Sequence, residues 1–538
     1  IVKMLVKKRS PIVYAVFLSL LFLIIYSSMI PWGLPFYLDP DEHIFIRASL
    51  EMFSQPYFHP QWFGAPGSTF ITIQAIGFGL VAFLGTLLGV FSSPQEFSQL
   101  YWTGNGDLLF IIGRSISSVF TSLVVLYTFV LFYNISKHKL LSLFGAFLTA
   151  ITHLIFYYSA VGRMDPIQTL SVMVSLHLCI LMIQKRQINA TQSTLLALAF
   201  SVSVFSKYPS VILVVPIVYT YCVIAADLVS AARALFRWGM LVLLFSFMIS
   251  PYFFLDFTGV WDDVTKEART EHLSSTSFGF FSSFAKYFTV PLYKNYTLVG
   301  VLLGIVGMLT MLFSKERYAV IPLFFLTYLA FLSALNLWWE RWIIPLLPLF
   351  SIFILYTVYI ASKNKFSAPL KWIALLLLFL ISSSSAVESY KLYKDRVTNN
   401  FNVFSAESWI MNNLAQNINV LVDVYTPPLL NPRFNLYQRD CKLGVSKIEI
   451  TSSSRVIPDK KIFECMEDSL KSFVVSLKEH DISVVILSDL HLRLKRDIEN
   501  GGPHIDAAEE YDWLFNNFNV IKAFEEGNGR PVYILKRS

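Results

Sequence analysis

Asp39-Pro40-Asp41-Glu42-His43 directly follows a long apolar run at about residues 11–31. Four basic residues precede that run: Lys3, Lys7, Lys8 and Arg9. Because basic flanks stay in the cytoplasm, the run is predicted to be a spanning helix whose N-terminus lies inside. The acidic stretch then leaves the bilayer on the opposite side. Its three carboxylates have no Lys or Arg beside them, which favours a catalytic base or a metal site, whereas a solvated loop is the simpler alternative.

The composition is typical of a polytopic membrane protein rather than a soluble enzyme. The 538 residues are 55% hydrophobic and only 15% charged, and the mean hydropathy is +0.56. The 48 Phe and 26 Tyr residues fit aromatic belts at the membrane interfaces. The net charge of +7 arises from cations in short loops between apolar runs, so it does not indicate a nucleic-acid partner.

The apolar runs and the loop charges together predict a topology. About twelve runs can be counted, and if all of them spanned, the basic residues at 137–139 and 185–186 would lie outside. If the glycine-rich run near residue 80 instead lies along the interface or re-enters, every basic loop faces the cytoplasm. We therefore predict about eleven spanning helices, with residues 32–107 forming an external loop that contains interfacial helices.

This topology places the unusual polar motifs on one side of the membrane. Besides Asp39 to His43, the external motifs are Arg163-Met164-Asp165, Lys207-Tyr208 and Glu340-Arg341. The topology follows from the positions of the basic loops alone. That it also brings the other polar motifs to one side is therefore an independent result. It predicts one extracytoplasmic site.

The chain is expected to divide into a membrane domain, 1–387, and a small extracytoplasmic α/β domain, 388–538. In the second domain the apolar runs at 420–425, 483–488, 520–524 and 532–536 predict strands, and 407–414 and 469–480 predict helices. Cys441 and Cys465 also lie there. In an oxidising compartment they could form a disulfide, or they are two unrelated thiols; both interpretations stay open.

An ordered set of sequence motifs resembles the GT-C superfamily of integral membrane glycosyltransferases, especially the branch with protein O-mannosyltransferases and lipid A aminoarabinose transferases. The motifs are DPDEHIFIRASLEMF from Asp39, GAPGSTFITIQAIGF from Gly64, FIIGRSISSVFTSLVVLYTFVLFY from Phe110, YYSAVGRMDPIQTLSVM from Tyr157, VFSKYPSVILVVP from Val204 and WWERWIIPLLPLF from Trp338. The resemblance covers most of the membrane part and implies the GT-C fold.

The resemblance also implies a reaction. The sugar donor would be carried on a polyprenyl phosphate, the acceptor would be a protein, lipid or glycan presented from the external side, and the transfer would invert the anomeric centre. This chemistry requires a base for the acceptor hydroxyl, stabilisation of an oxocarbenium-like transition state, and cations for the departing lipid phosphate.

The resemblance assigns the acidic roles to specific residues. Asp41 is the expected base, with Glu42 beside it, and Asp165 is the second catalytic acid. The alternative is that these acids only begin helices, since acids favour helix N-termini. Some members of the family use a divalent metal ion, for which Asp41, Glu42, Asp165 and His43 are candidate ligands, although no spacing fixes a metal.

The cationic and aromatic positions complete the predicted site. Lys207, Arg341 and Arg163 are the candidates for binding the lipid phosphate. The donor and acceptor pocket is expected to include the following residues: Asp39, His43, Tyr208, Glu340 and Trp339. Glu340 is expected to pair with Arg341 and orient it. The alternatives are an interfacial lysine that snorkels and a belt of tryptophans.

Two other functions compete with a transferase. A transporter or lipid flippase would place ionisable residues near the middles of spanning helices, whereas here they cluster at helix ends. His177 is the main exception and is expected to be a hydrogen-bonded packing residue. A non-catalytic assembly protein that keeps the fold would tolerate a neutral residue at position 41.

Overall fold

The structure is a computed structural model that describes residues 11–35, 38–39, 41–55, 57–64, 67–101, 106–267, 279–363, 368–423, 434–440, 444–447, 469–499, 505–525 and 530–537. The membrane part comprises helices α1 (Pro11–Ser28), α2 (Glu42–Ser54), α3 (Ser68–Leu87), α4 (Pro94–Gln99), α5 (Asp107–Ser136), α6 (Lys139–Ile151), α7 (His153–Tyr158), α8 (Asp165–Lys185), α9 (Ala190–Ser206), α10 (Val214–Ile224), α11 (Leu228–Ile249), α12 (Tyr252–Leu255), α13 (Phe257–Glu267), α14 (Phe280–Tyr287), α15 (Tyr293–Leu312), α16 (Glu316–Ser333), α17 (Leu347–Lys363) and α18 (Ala368–Thr398). Two 3₁₀ helices, Tyr208–Leu213 and Glu340–Leu346, and a π-helical turn, Phe288–Leu292, lie between them.

The described helices have the length and composition that a multi-pass membrane protein requires. Eight helical segments in the described part are long and apolar enough to cross a membrane: Pro11–Ser28, Ser68–Leu87, Asp107–Ser136, Asp165–Lys185, Leu228–Ile249, Phe280–Leu312, Glu316–Ser333 and Glu340–Lys363. Three shorter apolar segments are Lys139–Ile151, Ala190–Ser206 and Tyr208–Ile224. The chain is therefore an integral multi-pass membrane protein.

The count of eleven spanning helices stays a prediction. The helix α3, which the charge pattern placed along the interface, has the length and hydropathy of a spanning helix. The basic flank at residues 3–9, on which the predicted cytoplasmic N-terminus rests, lies outside the described residues.

Burial separates the centre of the bundle from its rim. The segments Asp165–Lys185 and Glu340–Lys363 are mostly buried, whereas few side chains of Pro11–Ser28 and Leu228–Ile249 are buried. An apolar helix with an exposed surface is suited to face lipid, because hydrocarbon replaces the protein neighbours it lacks. The central helices begin at Asp165 and at Leu347, close to two of the predicted polar motifs.

The C-terminal part is the predicted small α/β domain. It comprises α19 (Asn402–Asn413), β1 (Asn419–Val422), β2 (Asn435–Asp440), β3 (Gly444–Lys447), α20 (Ser469–Glu479), β4 (Val484–Leu487), α21 (Leu490–Glu499), α22 (Ile505–Asn517), β5 (Phe518–Phe524) and β6 (Val532–Arg537). The six strands form one sheet in the order β3-β2-β1-β4-β6-β5. The strand β1 is parallel to β2 and β4, and the other pairs are antiparallel.

All four predicted strands and both predicted helices of this domain are present, with boundaries shifted by a few residues. The strands β2 and β3 and the helices α21 and α22 were not predicted. The helix α18 continues past residue 388, so the predicted domain boundary falls inside a helix. Cys441 and Cys465 lie outside the described residues.

The end of α18 holds the segment that precedes the acidic stretch. The buried guanidinium of Arg396 lies 4.2 Å from the ring centre of Trp32 and 4.4 Å from that of Tyr157, and it donates to the Tyr157 carbonyl at 2.7 Å. The Asn399 side-chain oxygen accepts from the Gly33 backbone N–H at 3.0 Å. These contacts fix the chain where it leaves α1.

A buried ion pair fixes the other end of the acidic stretch. Arg114 of α5 donates to both carboxylate oxygens of Glu42, at 2.9 and 2.7 Å, and both side chains are fully buried. Arg114 also donates to the carbonyls of Ile30 and Trp32, at 2.7 and 2.6 Å. The Gly162 N–H donates to Glu42 Oε1 at 2.6 Å. One arginine therefore ties α5 to the chain on both sides of the acidic stretch.

We predict that Glu42→Gln lowers the stability of the folded protein by about 3–5 kcal/mol, because it leaves the Arg114 charge buried and uncompensated. The matched control on the same helix is Glu51→Gln, which breaks the exposed pair with Arg47 (2.8 Å) and should cost less than about 1 kcal/mol. The measurement is the midpoint of thermal unfolding in detergent. Equal midpoints for the two variants would contradict a structural role for Glu42.

Candidate functional site

The predicted polar motifs lie at breaks between helices, and prolines produce these breaks. Asp165 begins α8 with Pro166 in the first turn, and Lys207 is an extended residue between α9 and the 3₁₀ helix that contains Pro209. Arg341 lies in the second 3₁₀ helix, which contains Pro345. Because proline lacks an N–H and restricts the residue before it, each of these prolines interrupts regular α-helix next to a charged side chain.

Arg163 is the centre of the cluster. Its guanidinium is buried and lies 2.6 Å from Asp41, 3.2 Å from Asp165 and 3.8 Å from Asp39. The rings of Tyr158 and Phe45 lie 5.5 and 5.9 Å from Arg163 Cζ. Burial alone would lower the pKa of Arg163, but the three carboxylates outweigh it and raise that pKa well above its ordinary value. Arg163 is therefore a permanent charge.

Asp165 joins Arg163 to Lys207. Its Oδ2 accepts from Arg163 Nε at 3.2 Å, and its Oδ1 accepts from Lys207 Nζ at 2.8 Å. Burial lowers the pKa of Lys207, although the Asp165 carboxylate partly offsets this effect. Both oxygens of Asp165 are engaged, so this carboxylate is oriented between two cations.

Asp41 and Arg341 form the accessible part of the cluster. Arg341 Nη1 lies 2.8 Å from Asp41 Oδ2, and the two side chains are 27% and 23% exposed. Arg341 also lies over the ring of Trp339, with Cζ 4.9 Å from the ring centre. Its Nε is buried without a hydrogen-bond partner among the described residues.

The side chain of Asp41 does not serve the helix that follows it. Asp41 occupies the N-cap position of α2, yet its side chain makes no capping hydrogen bond. Its carboxylate lies instead between Arg163 and Arg341. The first turn of α2 is acidic, as the helix-start interpretation expected, but that interpretation does not account for where the Asp41 side chain points.

Asp39 forms a hydrogen bond with the backbone of Asp41. Its buried carboxylate accepts from the Asp41 backbone N–H at 3.0 Å. Burial raises the pKa of Asp39, and the nearby carboxylates of Glu42 and Asp41 add to this, while Arg163 opposes it. Asp39 is therefore less readily ionised than an ordinary aspartate.

The other predicted residues lie around the cluster with different partners. Glu340 pairs with Lys294 at 2.7 Å, so the expectation that it pairs with Arg341 is wrong. His43 contacts the Phe110 ring at 5.2 Å and the Tyr101 hydroxyl at 3.5 Å. The Tyr208 hydroxyl donates to the Phe63 carbonyl at 3.0 Å.

The carboxylates of the cluster do not fit a divalent metal ion. Asp41 and Asp165 are paired with Arg163, Arg341 and Lys207, and both oxygens of Glu42 are occupied by Arg114. Among the described residues, no group of three or more His, Cys, Asp or Glu side chains is arranged to hold a metal ion. A metal needs oxygen ligands that are free of competing cations.

Arg114 is a residue of this region that the sequence interpretation missed. The available signal was an arginine two turns inside an otherwise apolar helix, where an ionisable group needs a buried partner. The motif FIIGRSISS contains it at position 114. Its partner, Glu42, was assigned to catalysis on the strength of the family pattern.

We predict that Asp39→Asn raises the unfolding midpoint at about pH 8, because burial disfavours the ionised carboxylate. The raised pKa means that the folded state binds this proton more tightly than the unfolded state. Stability therefore falls as the pH rises through the raised pKa, and the advantage of Asp39→Asn should shrink as the pH falls toward the ordinary aspartate value. The measurement is thermal unfolding in detergent across this pH range.

Asp481→Asn is the control for that series, because the Asp481 side chain is 88% exposed and should give no pH-dependent difference. An unfolding midpoint of Asp39→Asn that is lower than that of the unmodified protein at about pH 8 would show that the attraction to Arg163 outweighs burial.

Solved structures provide a comparison for this fold. The crystal structure of apo ArnT from Cupriavidus metallidurans gives a TM-score of 0.51 at 14% identity, over 97% of this chain and 97% of ArnT. ArnT bound to undecaprenyl phosphate gives 0.48 at 14% identity, again over 97% of both chains. The apo oligosaccharyltransferase of Archaeoglobus fulgidus gives 0.49 at 11% identity, over 91% of this chain and 71% of that one.

No family model matches the sequence, and no curated protein matches it. The likeness is one of structure. ArnT is a GT-C superfamily protein, and the similarity to its apo structure extends over nearly the whole of both chains. This chain is therefore an integral membrane protein with the GT-C fold that its motifs predicted.

Proposed function

We propose that this chain is a glycosyltransferase that moves a sugar from a polyprenyl-phosphate carrier to a hydroxyl of a protein, lipid or glycan on the extracytoplasmic side. The observation that carries the proposal is the pairing of a partly exposed carboxylate, Asp41, with a partly exposed guanidinium, Arg341, on an otherwise buried ion network. A base and an anion-binding cation therefore lie side by side at the accessible edge. The motifs and the GT-C fold support the same reaction class.

Asp41 acts as the base in this proposal. The acceptor oxygen attacks the anomeric carbon as its proton passes to Asp41, and the bond from the anomeric carbon to the phosphate oxygen breaks. Attack from the face opposite the phosphate inverts the anomeric centre. The donor is a phosphodiester with one negative charge, and the departing polyprenyl phosphate gains a second, so cations that face the phosphate stabilise the transition state more than the bound donor.

Arg341 and Lys207 receive the phosphate. Arg341 can exchange partners because it is partly exposed and has a buried Nε–H without a partner among the described residues. A phosphate that binds Arg341 competes with Asp41 for the guanidinium and leaves that carboxylate with Arg163. Charge-assisted contacts from a planar guanidinium suit this exchange.

Glu42 and Asp165 take supporting roles. Glu42 is held by Arg114 and by the Gly162 N–H, so it positions the acidic stretch. Asp165 is held by Arg163 and Lys207, so it orients the two cations beside the phosphate. Neither carboxylate has an oxygen directed toward an accessible position.

The surroundings of His177 argue against a transporter. Its Nδ1 lies 2.9 Å from the Tyr127 hydroxyl, and its Nε2 lies 3.0 Å from the Asn134 amide nitrogen. Both ring nitrogens are therefore engaged by neighbouring side chains of α5. This is the packing role expected for His177 rather than that of a proton relay, which needs a group free to exchange partners.

We predict that the purified protein releases polyprenyl phosphate from at least one polyprenyl-phosphate sugar, and that Asp41→Asn lowers this rate by about 100-fold or more, because a positioned base contributes about 10²–10⁴-fold. The assay offers a panel of donors with peptide, lipid and glycan acceptors and measures released polyprenyl phosphate. Asp481→Asn serves as the matched control. Equal rates for Asp41→Asn and the unmodified protein would remove Asp41 from the mechanism, and no release from any donor-acceptor pair would contradict the enzyme class.

We also predict that Arg341→Gln weakens binding of undecaprenyl phosphate by about tenfold or more, because a hydrogen bond to a charged group contributes about 1.5–3 kcal/mol. The control is Arg186→Gln. Arg186 follows the last residue of α8, at the end of that helix away from Asp165, and forms an exposed pair with Glu316. Binding is measured by titration in lipid nanodiscs. Unchanged affinity in Arg341→Gln would place the phosphate elsewhere.

A further inference from the structure

Gln168 lies one helical turn from Asp165, a member of the charge cluster. It is on α8, and its side chain is fully buried. Its amide nitrogen donates to the Ser210 hydroxyl at 2.8 Å and to the Tyr328 hydroxyl at 3.2 Å. Residues three apart on a helix share a face, so Asp165 and Gln168 are directed to the same region.

Each hydrogen-bond partner of Gln168 contacts the backbone next to one of the two cations that are proposed to bind the phosphate. The Ser210 backbone N–H donates to the Lys207 carbonyl at 3.0 Å. The Tyr328 hydroxyl donates to the carbonyl of Trp342, the residue after Arg341, at 3.3 Å. One side chain on α8 therefore connects the backbone segments that present Lys207 and Arg341.

The two segments need such an anchor. Both are 3₁₀ helices of six and seven residues that contain proline, Tyr208–Leu213 and Glu340–Leu346. Short 3₁₀ helices have poor hydrogen-bond geometry, and proline removes a further donor, so their own backbone does little to fix the position of a side chain. Contacts to the central helix α8 must do so.

The hydrogen bonds also fix which way the Gln168 side-chain amide is oriented. Because the Tyr328 proton goes to the Trp342 carbonyl, the Tyr328 oxygen accepts, and the amide nitrogen of Gln168 must face it. Gln168 Oε1 is then left buried with no hydrogen-bond partner among the described residues. An unpaired buried oxygen is unfavourable, a cost that leucine at this position would not have.

We infer that Gln168 is a positioning residue, which sets Lys207 and Arg341 at the spacing that the departing lipid phosphate requires; this inference rests on the proposed function. Gln168 does not touch the substrate and acts through Ser210 and Tyr328. Because the phosphate gains charge as it departs, misplaced cations affect the transition state and the released polyprenyl phosphate more than the bound donor.

The test compares Gln168→Leu with Gln74→Leu. Gln74 is the matched control, since it is also fully buried, bonds one serine hydroxyl (Ser49, 2.8 Å) and has an unpartnered amide atom, but lies on α3. We expect Gln168→Leu to lower kcat by about tenfold or more and to weaken undecaprenyl phosphate binding by a similar factor, while the KM for the donor changes less. Gln74→Leu should leave all three values unchanged.

Ser210→Ala and Tyr328→Phe each remove one of the two hydrogen-bond partners of Gln168. Both variants preserve the packing, so they test the inference even if Gln168→Leu does not fold. Each should show part of the loss, and adding Tyr328→Phe to Gln168→Leu should lower kcat no further, because both remove the same connection. A purely structural residue would shift the unfolding midpoint without this pattern.

Three outcomes would overturn the inference. If the unmodified protein binds undecaprenyl phosphate and Gln168→Leu binds it equally well with equal kcat, Gln168 is not a positioning residue, although the proposed function stands. If Ser210→Ala and Tyr328→Phe both leave kcat and binding unchanged, the connection is not used. If the unmodified protein neither binds the lipid phosphate nor turns over any donor, the proposed function fails, and the inference fails with it.

Discussion

A charge balance in a largely buried region is the constraint on which the rest of this structure depends. Four carboxylates and four cations meet at this end of the bundle: Asp39, Asp41, Glu42 and Asp165 with Arg114, Arg163, Lys207 and Arg341. Single charges in such surroundings would be strongly unfavourable, whereas paired and hydrogen-bonded charges are tolerated. The pairs join five separate parts of the chain, so neutralising the charges also assembles the site.

The same balance explains why the proposed reaction suits this site. A bound donor adds one negative charge to this set of four carboxylates and four cations. In the proposed reaction the acceptor proton moves to Asp41 as the phosphate gains its second charge, so the total charge of the site does not change while bonds are exchanged. A site with many fixed charges and constant total charge requires little reorganisation in the transition state, which is the basis of electrostatic preorganisation.

Much of the site was predictable from the sequence because charged residues at the ends of apolar runs can be assigned to a side of the membrane. Asp41, Arg163, Asp165, Lys207 and Arg341 were predicted from that pattern and from the family motifs, and the structure places them in one network. Their exact partners were not predictable. Whether Glu340 faces Arg341 or Lys294 depends on how helices are rotated about their axes, and no sequence period reports that rotation between separate segments.

Residues inside the helices were harder to predict for a different physical reason. Arg114 and Gln168 lie in apolar helices, where sequence alone does not separate a packing residue from one with a buried partner. The strands β2 and β3 were missed because their sequences, NLYQRD and GVSK, are more polar than those of buried strands. The helix α20 was predictable because its amphipathic pattern is local, whereas α21 and α22 were not predicted.

The two anchors of the acidic stretch show how distant parts of the chain bear on Asp41. Glu42 ties the stretch to α5, and Trp32 ties it to the end of α18. The Trp32 ring lies between two guanidinium groups, with Arg114 at 5.0 Å and Arg396 at 4.2 Å from its centre. Since α18 leads into the α/β domain, the same tryptophan contacts both the segment before Asp41 and the helix before that domain.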